Sequence, residues 1–256
     1  MVVADLHVHT TNSDGTLTLE TLPSAAESAG VSAVAVTDHD RWHPELRTPV
    51  ATIDGLTVVH GIELRVEADD FRVDLLGYGA TRTPDLLSLI EHLQEDRIER
   101  GRAIIERVED RLETELPVEP RPGLGRPHIA EAIASVSSYE YADAFEELIG
   151  DGRPCYVPRE VPSFEEGLAV LDDACSIVSL AHPHRYDDAE SALELCSDLD
   201  AVERFYPYEH EIDPRPIERA MERYDLLPTG GSDAHDETLG LAGLEMDDYR
   251  RFRATL

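Results

Sequence analysis

Short apolar runs alternate with amphipathic segments along most of the chain, a pattern typical of repeated strand–helix units. The predicted strands cover residues 2–9, 32–37, 56–66, 71–78, 177–181, 201–206 and 227–231. The predicted helices cover residues 19–29, 84–115, 128–134, 139–149, 164–174 and 216–224, and one further helix is predicted between residues 181 and 201. Strands that alternate with helices in this way predict an α/β fold with a parallel sheet and right-handed crossovers.

The middle of the chain departs from this alternation. Prolines at positions 117, 120, 122 and 127 interrupt the apolar pattern, and no strand is predicted between residues 97 and 162. We therefore expect residues 97–162 to form an inserted helical subdomain. Residues 1–96 and 163–256 are then expected to form the main domain together.

Composition narrows the chemistry that the chain can perform. The chain has 54 acidic residues against 22 basic ones, its formal net charge is −32, and every basic residue is arginine. The absence of lysine excludes a Schiff-base lysine, a P-loop lysine and a carbamylated-lysine metal bridge. An acidic surface also argues against a nucleic-acid scaffold protein, which normally has a basic patch.

The excess of acid and the few cysteines also bear on the cellular environment. Molar salt shortens the Debye length to about 3 Å, so we interpret the acidity as adaptation of a halophilic protein to a salt-rich cytoplasm. The 3 cysteines form no CxxC pair, which indicates a reducing compartment. Neither a leader segment nor a membrane span is expected, and we predict a cytoplasmic protein.

Histidines and acidic residues fall at the ends of the predicted strands. Because strand side chains alternate, His7 and His9 point to one face, as two ligands of one metal require. The other candidates lie at strand ends, in adjoining loops or at a helix start, and they are Asp14, His39, Glu63, Asp74, His128, His182, Asp233 and His235. In a parallel barrel the carboxyl ends of all strands lie on one rim. We therefore expect one site at that rim.

Each of these residues alone has an ordinary explanation. A histidine at a strand end is more often a hydrogen-bonded polar residue than a ligand, and Asp14-Gly15 alone indicates a turn. Their coincidence favours a metal site, because buried charges persist only when they are paired or bound to metal. Imidazole mixed with carboxylate suits Zn²⁺, Mn²⁺ or Fe²⁺, and the lack of thiolates argues against a structural zinc site. Asp5, Asp38 and Asp40 are predicted to orient the histidines.

The motifs that carry these residues resemble those of a known superfamily. They are DLHVHT, SDG, TDHD, GIE, RPH, AHP and GSDAH, and they resemble the polymerase and histidinol phosphatase (PHP) superfamily over nearly the whole chain. The inserted middle, GRPHIA, GDGRPCYVPR and AHPHRYD resemble the branch that dephosphorylates nucleoside monophosphates and 3′,5′-nucleotide bisphosphates and includes an enzyme that trims RNA 5′ ends. The resemblance implies a distorted (β/α)7 TIM-like barrel, the PHP fold, with a trinuclear metal centre.

The resemblance also implies a ligand set for each of three divalent ions. The first ion would be held by His7, His9, Glu63 and Asp233, and Glu63 would bridge to the second. The second would be completed by Asp74 and His128, and the third would be held by Asp14, His39 and His235. His182 would be a ligand or a phosphate contact. Many members of the superfamily have histidine in place of Asp74, and the harder carboxylate favours Mn²⁺, with Zn²⁺ or Fe²⁺ as alternatives.

The implied reaction is hydrolysis of a phosphomonoester by a metal-bridging hydroxide, with Asp14, His39, Glu63, Asp233 and His235 as the catalytic set. Without lysine, arginines must supply any further phosphate contact, and the candidates are Arg97, Arg100, Arg126 and Arg185. For Arg97 and Arg100 an ion-paired helix surface is an equally good explanation, since acidic residues surround them.

The expected substrate is AMP, a 3′,5′-nucleotide bisphosphate or another phosphorylated small molecule, and the 5′ end of a short RNA or other oligonucleotide would also suit the site. No membrane contact and no stable protein partner are expected. Two alternatives stay open at this point. The first is a histidinol-phosphate phosphatase or another small-molecule phosphatase, and the second is a metal-stabilised binding module without turnover.

Overall fold

The computed structural model describes residues 1–69 and 71–256 of the chain. Its strands are β1 (Ala4–Val8), β2 (Ala33–Val36), β3 (Val50–Ile53), β4 (Leu56–Ala68), β5 (Phe71–Tyr78), β6 (Ile177–Leu180), β7 (Ala201–Phe205) and β8 (Leu227–Gly230). Its α-helices are α1 (Leu22–Ala29), α2 (Pro84–Leu112), α3 (Arg126–Val136), α4 (Tyr141–Asp143), α5 (Phe164–Ala174), α6 (Ala189–Glu194), α7 (Arg215–Tyr224) and α8 (Met246–Thr255). Single helical turns cover Pro183–Arg185 and Leu195–Asp198, and a π-helical segment covers Ala144–Ile149.

The predicted elements agree with these ones to within a few residues, but β3 and α8 were not predicted. β3 is short and partly exposed, so it lacks the buried run by which a strand is recognised. In α8 only Phe252 is buried among the ten residues, which leaves almost no apolar periodicity. Phe252 packs edge-on against Tyr78 of β5, at a ring-centroid distance of 5.1 Å. Tertiary packing of one aromatic side chain therefore positions α8.

All the strands belong to one mixed eight-stranded sheet in the order β1-β2-β4-β5-β6-β7-β8, with β3 paired to β4. The prediction of an all-parallel sheet is wrong at β5, which is antiparallel to both β4 and β6. β4 and β5 are joined by a hairpin, because the Ala68↔Phe71 pair leaves too few residues for a crossover helix. β1, β2 and β4 are parallel, as are β6, β7 and β8.

The sheet curls so that its two ends meet beside β1. Ala234, which lies just beyond β8, forms a parallel bridge with Val8, and its backbone N–H donates to the carbonyl of His7 over 3.2 Å. This is a curled sheet with mixed strand directions, and the regular (β/α)7 barrel stays a prediction. Among the described residues, none of the helices combines the length and the apolar character needed to cross a bilayer.

The chain divides into two compact units. The first consists of Met1–Leu87 and Pro162–Leu256, and it contains the whole sheet. The second consists of Ser88–Val161 and is helical. The second unit has a hydrophobic core of its own, which includes Ile104, Val108, Leu124, Ile133 and Ile149.

Candidate metal centre

The parallel strands of the first unit place polar side chains next to one another at their carboxyl ends. His7 lies near the end of β1, and His9 directly follows that strand. His39 follows β2 and forms a parallel bridge with Glu63 of β4. The curl of the sheet places Asp233 and His235, which follow β8, beside the end of β1. His182 follows β6, so sequence-distant segments converge as the strand-end rule predicts.

The first cluster consists of His7, His9, Glu63 and Asp233. Nε2 of His9 lies 3.3 Å from a Glu63 oxygen and 3.1 Å from an Asp233 oxygen. Nε2 of His7 lies 3.4 Å from each of the same two carboxylates. Two imidazoles and two carboxylates thus point their donor atoms at one another in a buried place.

The second cluster consists of His9, Asp14, His39 and His235. Oδ1 of Asp14 lies 3.8 Å from Nε2 of His39 and 3.5 Å from Nε2 of His235. The ring of His9 stacks on that of His235 at a centroid distance of 4.3 Å, which joins this cluster to the first. His235 is 40% exposed and His39 is 24% exposed, so this cluster faces solvent.

The third cluster consists of Glu63, Asp74 and His182, all of them buried. Nε2 of His182 lies 3.2 Å from Oε1 of Glu63 and 3.7 Å from Oδ2 of Asp74. The other oxygen of Glu63 lies 2.7 Å from Nδ1 of His39. Glu63 is therefore a member of two clusters and is in contact with the remaining one.

The chemistry of the donor atoms fits divalent ions. No described residue makes a hydrogen bond to the fully buried Nε2 of His7, although two carboxylates lie 3.4 Å away. Ligand atoms about 2.1 Å from a tetrahedral ion lie about 3.4 Å from one another, which matches this spacing. An unpartnered buried imidazole nitrogen is costly unless an ion uses its lone pair.

The charges of the first and second clusters are mutually stabilising. Although burial opposes ionisation, His7 and His9 hold the pKa of Asp233 well below its ordinary value. His39 and His235 act in the same way against burial and lower the pKa of Asp14. Burial lowers the pKa of His9, which keeps its lone pair available. The acidic residues are thus ionised at neutral pH, as metal ligands must be.

Glu203 is a functional side chain that the sequence analysis missed. It is fully buried, its Oε1 lies 3.1 Å from Nδ1 of His7, and its Oε2 accepts the backbone N–H of His182 over 2.7 Å. A carboxylate on Nδ1 fixes the tautomer of His7 and leaves Nε2 facing the first cluster. The signal in the sequence is a lone acid near the end of the apolar strand β7, the same signal that identified Glu63 on β4.

We expect Glu203→Gln to weaken metal binding by about 10-fold to 100-fold, because the amide cannot hold His7 as a charged acceptor does. The measurement is calorimetric titration of the purified variant with Mn²⁺. Glu218→Gln removes an exposed acid that pairs with Arg204 on the same unit and serves as the control. Equal affinity in the wild type and Glu203→Gln would show that Glu203 does not position His7.

Asp5 and Asp38, which were predicted to orient the histidines, contact the loops that present the ligands. Oδ1 of Asp5 accepts the backbone N–H of Ser232 over 2.9 Å, and Oδ1 of Asp38 accepts that of Thr10 over 2.7 Å. Close packing of these loops also requires Gly231, where a Cβ atom would lie 2.3 Å from the backbone nitrogen of His7. The loops that carry Asp14 and Asp233 are thereby fixed.

Asp74 is engaged by an arginine that the sequence analysis did not single out. Arg65 of β4 stands directly opposite Asp74 of β5 in the sheet register. Its Nε donates to Oδ1 over 2.7 Å and its Nη2 donates to Oδ2 over 2.5 Å. Both oxygens of this predicted ligand therefore accept from one guanidinium, and each keeps a lone pair for a further contact.

The predicted substrate arginines lie in both units. In the first unit Arg185 is 53% exposed and donates to Oδ2 of Asp233 over 2.9 Å. In the second unit Arg97 is buried, and the Nε of Arg100 donates to the carbonyl of Val157 over 2.8 Å. Burial, followed by the charges of Arg126, Arg159 and Arg97, lowers the pKa of Arg100 to about 10. Several arginines are therefore concentrated here, and both explanations of Arg97 and Arg100, a phosphate contact and an ion-paired helix surface, stay predictions.

His128 was predicted to bind the same ion as Asp74, which belongs to the third cluster. It also lies in the second unit. It lies in the first turn of α3, where its Nδ1 accepts the backbone N–H of Gly125 over 3.1 Å. Its part in a metal centre stays a prediction.

Known proteins resemble the chain along most of its length. It is 30% identical over 196 residues to the 5′-3′ exoribonuclease Rnm of Salmonella typhimurium, and this match covers 73% of this chain and 67% of the relative. It is 30% identical over 250 residues to the phosphoribosyl 1,2-cyclic phosphate 1,2-diphosphodiesterase of Eggerthella lenta, with coverage of 91% and 94%. It is 25% identical over 250 residues to the 3′,5′-nucleoside bisphosphate phosphatase of Chromobacterium violaceum, with coverage of 92% and 88%.

The fold has a solved counterpart as well. A structure from Bifidobacterium adolescentis, named for a proposed metal-dependent phosphoesterase activity, aligns with a TM-score of 0.82 and 26% identity. The alignment covers 99% of this chain and 96% of that one. A model of the PHP domain matches residues 5–151, more than half of the chain. The chain therefore belongs to the PHP domain family of metal-dependent phosphoesterases.

Proposed function

We propose that the protein hydrolyses phosphomonoesters of nucleotides, such as AMP or a 3′,5′-nucleotide bisphosphate, and that the 5′ end of a short RNA also fits the site. The observation that carries this proposal is the position of Glu63, which belongs to the first and third clusters. Its Oε2 also lies 2.7 Å from Nδ1 of His39 in the second cluster. A shared carboxylate is what holds several ions within reach of one phosphoryl group. The names of the exoribonuclease and bisphosphate phosphatase relatives support the nucleotide class.

The proposed centre holds three divalent ions, with Mn²⁺ expected and Zn²⁺ or Fe²⁺ as alternatives. When bound, the ions would activate a water molecule and neutralise charge that develops on the phosphoryl oxygens. Three divalent ions carry a charge of about +6, and the four cluster carboxylates of Asp14, Glu63, Asp74 and Asp233 carry about −4. The net charge of the centre is therefore about +2. An anionic substrate is therefore attracted locally despite the acidity of the whole chain.

The residues around the centre would bind and orient the substrate. The open side is marked by His39, His235 and Arg185, which are the exposed members of a mostly buried group. A phosphate that enters there would meet the guanidinium of Arg185, whose planar fork suits two phosphoryl oxygens. In the second unit, the positive charges of Arg126 and Arg97 lie near Arg100, which supports the prediction that these arginines contact phosphate.

A panel of phosphate esters tests the proposed substrate class. With Mn²⁺ in molar KCl, we expect phosphate release from AMP, 3′,5′-bisphosphates and a 5′-phosphorylated trinucleotide to exceed release from histidinol phosphate. Phosphate is measured directly, and an EDTA-treated sample serves as the blank. Hydrolysis of histidinol phosphate alone would overturn the nucleotide proposal, and no metal-dependent release from any ester would favour a binding module without turnover.

We also propose that the acidic surface adapts the protein to a salt-rich cytoplasm. With a formal net charge of −32, like charges repel in dilute buffer and are screened when the Debye length falls to about 3 Å. We expect the midpoint of thermal unfolding to rise as KCl is raised from dilute to molar. NaCl at the same concentration screens charge equally and is expected to give a similar rise. A midpoint that is indifferent to KCl would contradict this adaptation.

A further inference from the structure

Arg65 and Asp74 form an ion pair inside the hairpin of β4 and β5. They face each other across the two strands, so their backbones fix the distance between the side chains. The guanidinium grips both carboxylate oxygens, over 2.7 Å and 2.5 Å, in the two-point geometry that is the strongest form of this contact. The side chain of Asp74 is 2% exposed and that of Arg65 is 40% exposed. The acid is therefore held in place while the arginine reaches solvent.

The backbone of Asp74 is held as well. The hydroxyl of Tyr186 accepts the backbone N–H of Asp74 over 2.8 Å and donates to the carbonyl of Ala181 over 3.1 Å. Since Ala181 directly precedes His182, this tyrosine ties two members of the third cluster to each other. The backbone that carries the Asp74 carboxylate is therefore held in place beside Ala181.

The third cluster differs in this respect from the other two. An ion there must take an oxygen from Asp74, and since each oxygen already accepts from Arg65, the ion would have to share that oxygen with the guanidinium. The ion would also lie close to a guanidinium of like charge, and Coulomb repulsion between charges a few ångströms apart is large in a buried place. The only other members of this cluster among the described residues are Glu63 and His182.

We propose that Arg65 competes with a divalent ion for Asp74 and so sets the occupancy of the third cluster. The protein keeps two ions firmly, and the ion at the third cluster binds weakly because the guanidinium of Arg65 repels it and shares the carboxylate of Asp74 with it. While that ion is absent, the guanidinium supplies positive charge at the same place. This inference rests on the proposed metal-dependent function, because it concerns the same centre.

Counting bound ions tests the competition. The wild type is loaded with Mn²⁺, desalted and analysed for retained metal, and the affinity of each ion is measured by calorimetric titration. We expect two retained ions in the wild type and a third that binds at least about tenfold more weakly. In Arg65→Met the third ion is retained, because its competitor is gone. In Arg65→Lys the positive charge remains, and the wild-type pattern is expected to persist.

Arg72→Met is the matched control. Arg72 lies on the same hairpin and pairs across it with Glu67 over 3.3 Å, two register positions from the Arg65–Asp74 pair. We expect it to keep the wild-type metal pattern. Circular dichroism verifies folding, and should Arg65→Met fail to fold, the wild-type titration still decides, because three ions of equal affinity overturn the proposal.

Three results overturn the inference, and each is separate from failure of the proposed function. An Arg65→Met protein with the wild-type number and affinity of ions contradicts competition, and so does one that loses an ion. Metal binding is measured without substrate, so an inactive protein that binds ions in the expected pattern refutes the proposed activity alone. An active protein with three equally tight ions refutes the role of Arg65 alone.

Discussion

Replacing Glu63 with glutamine is expected to lower kcat/KM for phosphate release by at least about a thousandfold. The side chain keeps its shape, but the clusters lose the charge that His7, His9, His39 and His182 all contact. Two ions would lose a shared ligand at once. Phosphate release at saturating Mn²⁺ is the measurement, and the metal content of the same sample is determined alongside it.

The control for this variant lies four residues further along β4. Glu67→Gln removes a half-exposed carboxylate that belongs to none of the clusters, and we expect it to retain wild-type activity. Should Glu63→Gln retain activity within tenfold of the wild type, the clusters would not be the reaction centre.

Removing metal is expected to lower the midpoint of thermal unfolding by about 8–16 °C. Without ions, Glu63 and Asp233 repel each other in a buried place, and nearby histidines and Arg185 offset that repulsion. A ligand that binds only the folded state at about 1,000 times its Kd adds about 4 kcal/mol to the free energy of unfolding. In a chain of this size each kcal/mol corresponds to about 2–4 °C.

Differential scanning calorimetry in molar KCl measures this effect, first with EDTA and then after Mn²⁺ is restored. Asp14→Ala supplies the internal comparison, because it removes a ligand of the second cluster and should show a smaller rise on Mn²⁺ addition. A midpoint that changes by less than about 2 °C between the two conditions is incompatible with ions held by the buried clusters.

The rule that parallel strands end on one rim was sufficient to predict that distant residues meet. Strand alternation predicts that His7 and His9 share one face. The place of Asp233 and His235 after the last strand predicts that they lie at the same rim. Sequence pattern alone also predicted where most helices and strands begin and end, because apolar periodicity is strong in them.

The remaining features depend on pairing, which one-dimensional patterns do not contain. β5 is antiparallel because a hairpin joins it to β4, and its apolar run looks the same in either direction. The position of Arg65 opposite Asp74 can be predicted only when the register of the two strands, set by the Ala68↔Phe71 pair, is known. Glu203 is a lone acid on an apolar strand, and its contacts with His7 and His182 become visible only in three dimensions.

Phosphate release tests most directly whether these clusters are the centre of a metal-dependent phosphoesterase. It is compared for the wild type, Asp14→Ala and His235→Ala, with AMP and a 3′,5′-bisphosphate as substrates. The assay contains Mn²⁺ and molar KCl, and His92→Ala, an exposed histidine paired with Glu160 in the second unit, is the control. We predict release by the wild type and by His92→Ala, its loss on chelation, and a fall of at least about a hundredfold in the two cluster variants. Wild-type rates in Asp14→Ala or His235→Ala would contradict the account.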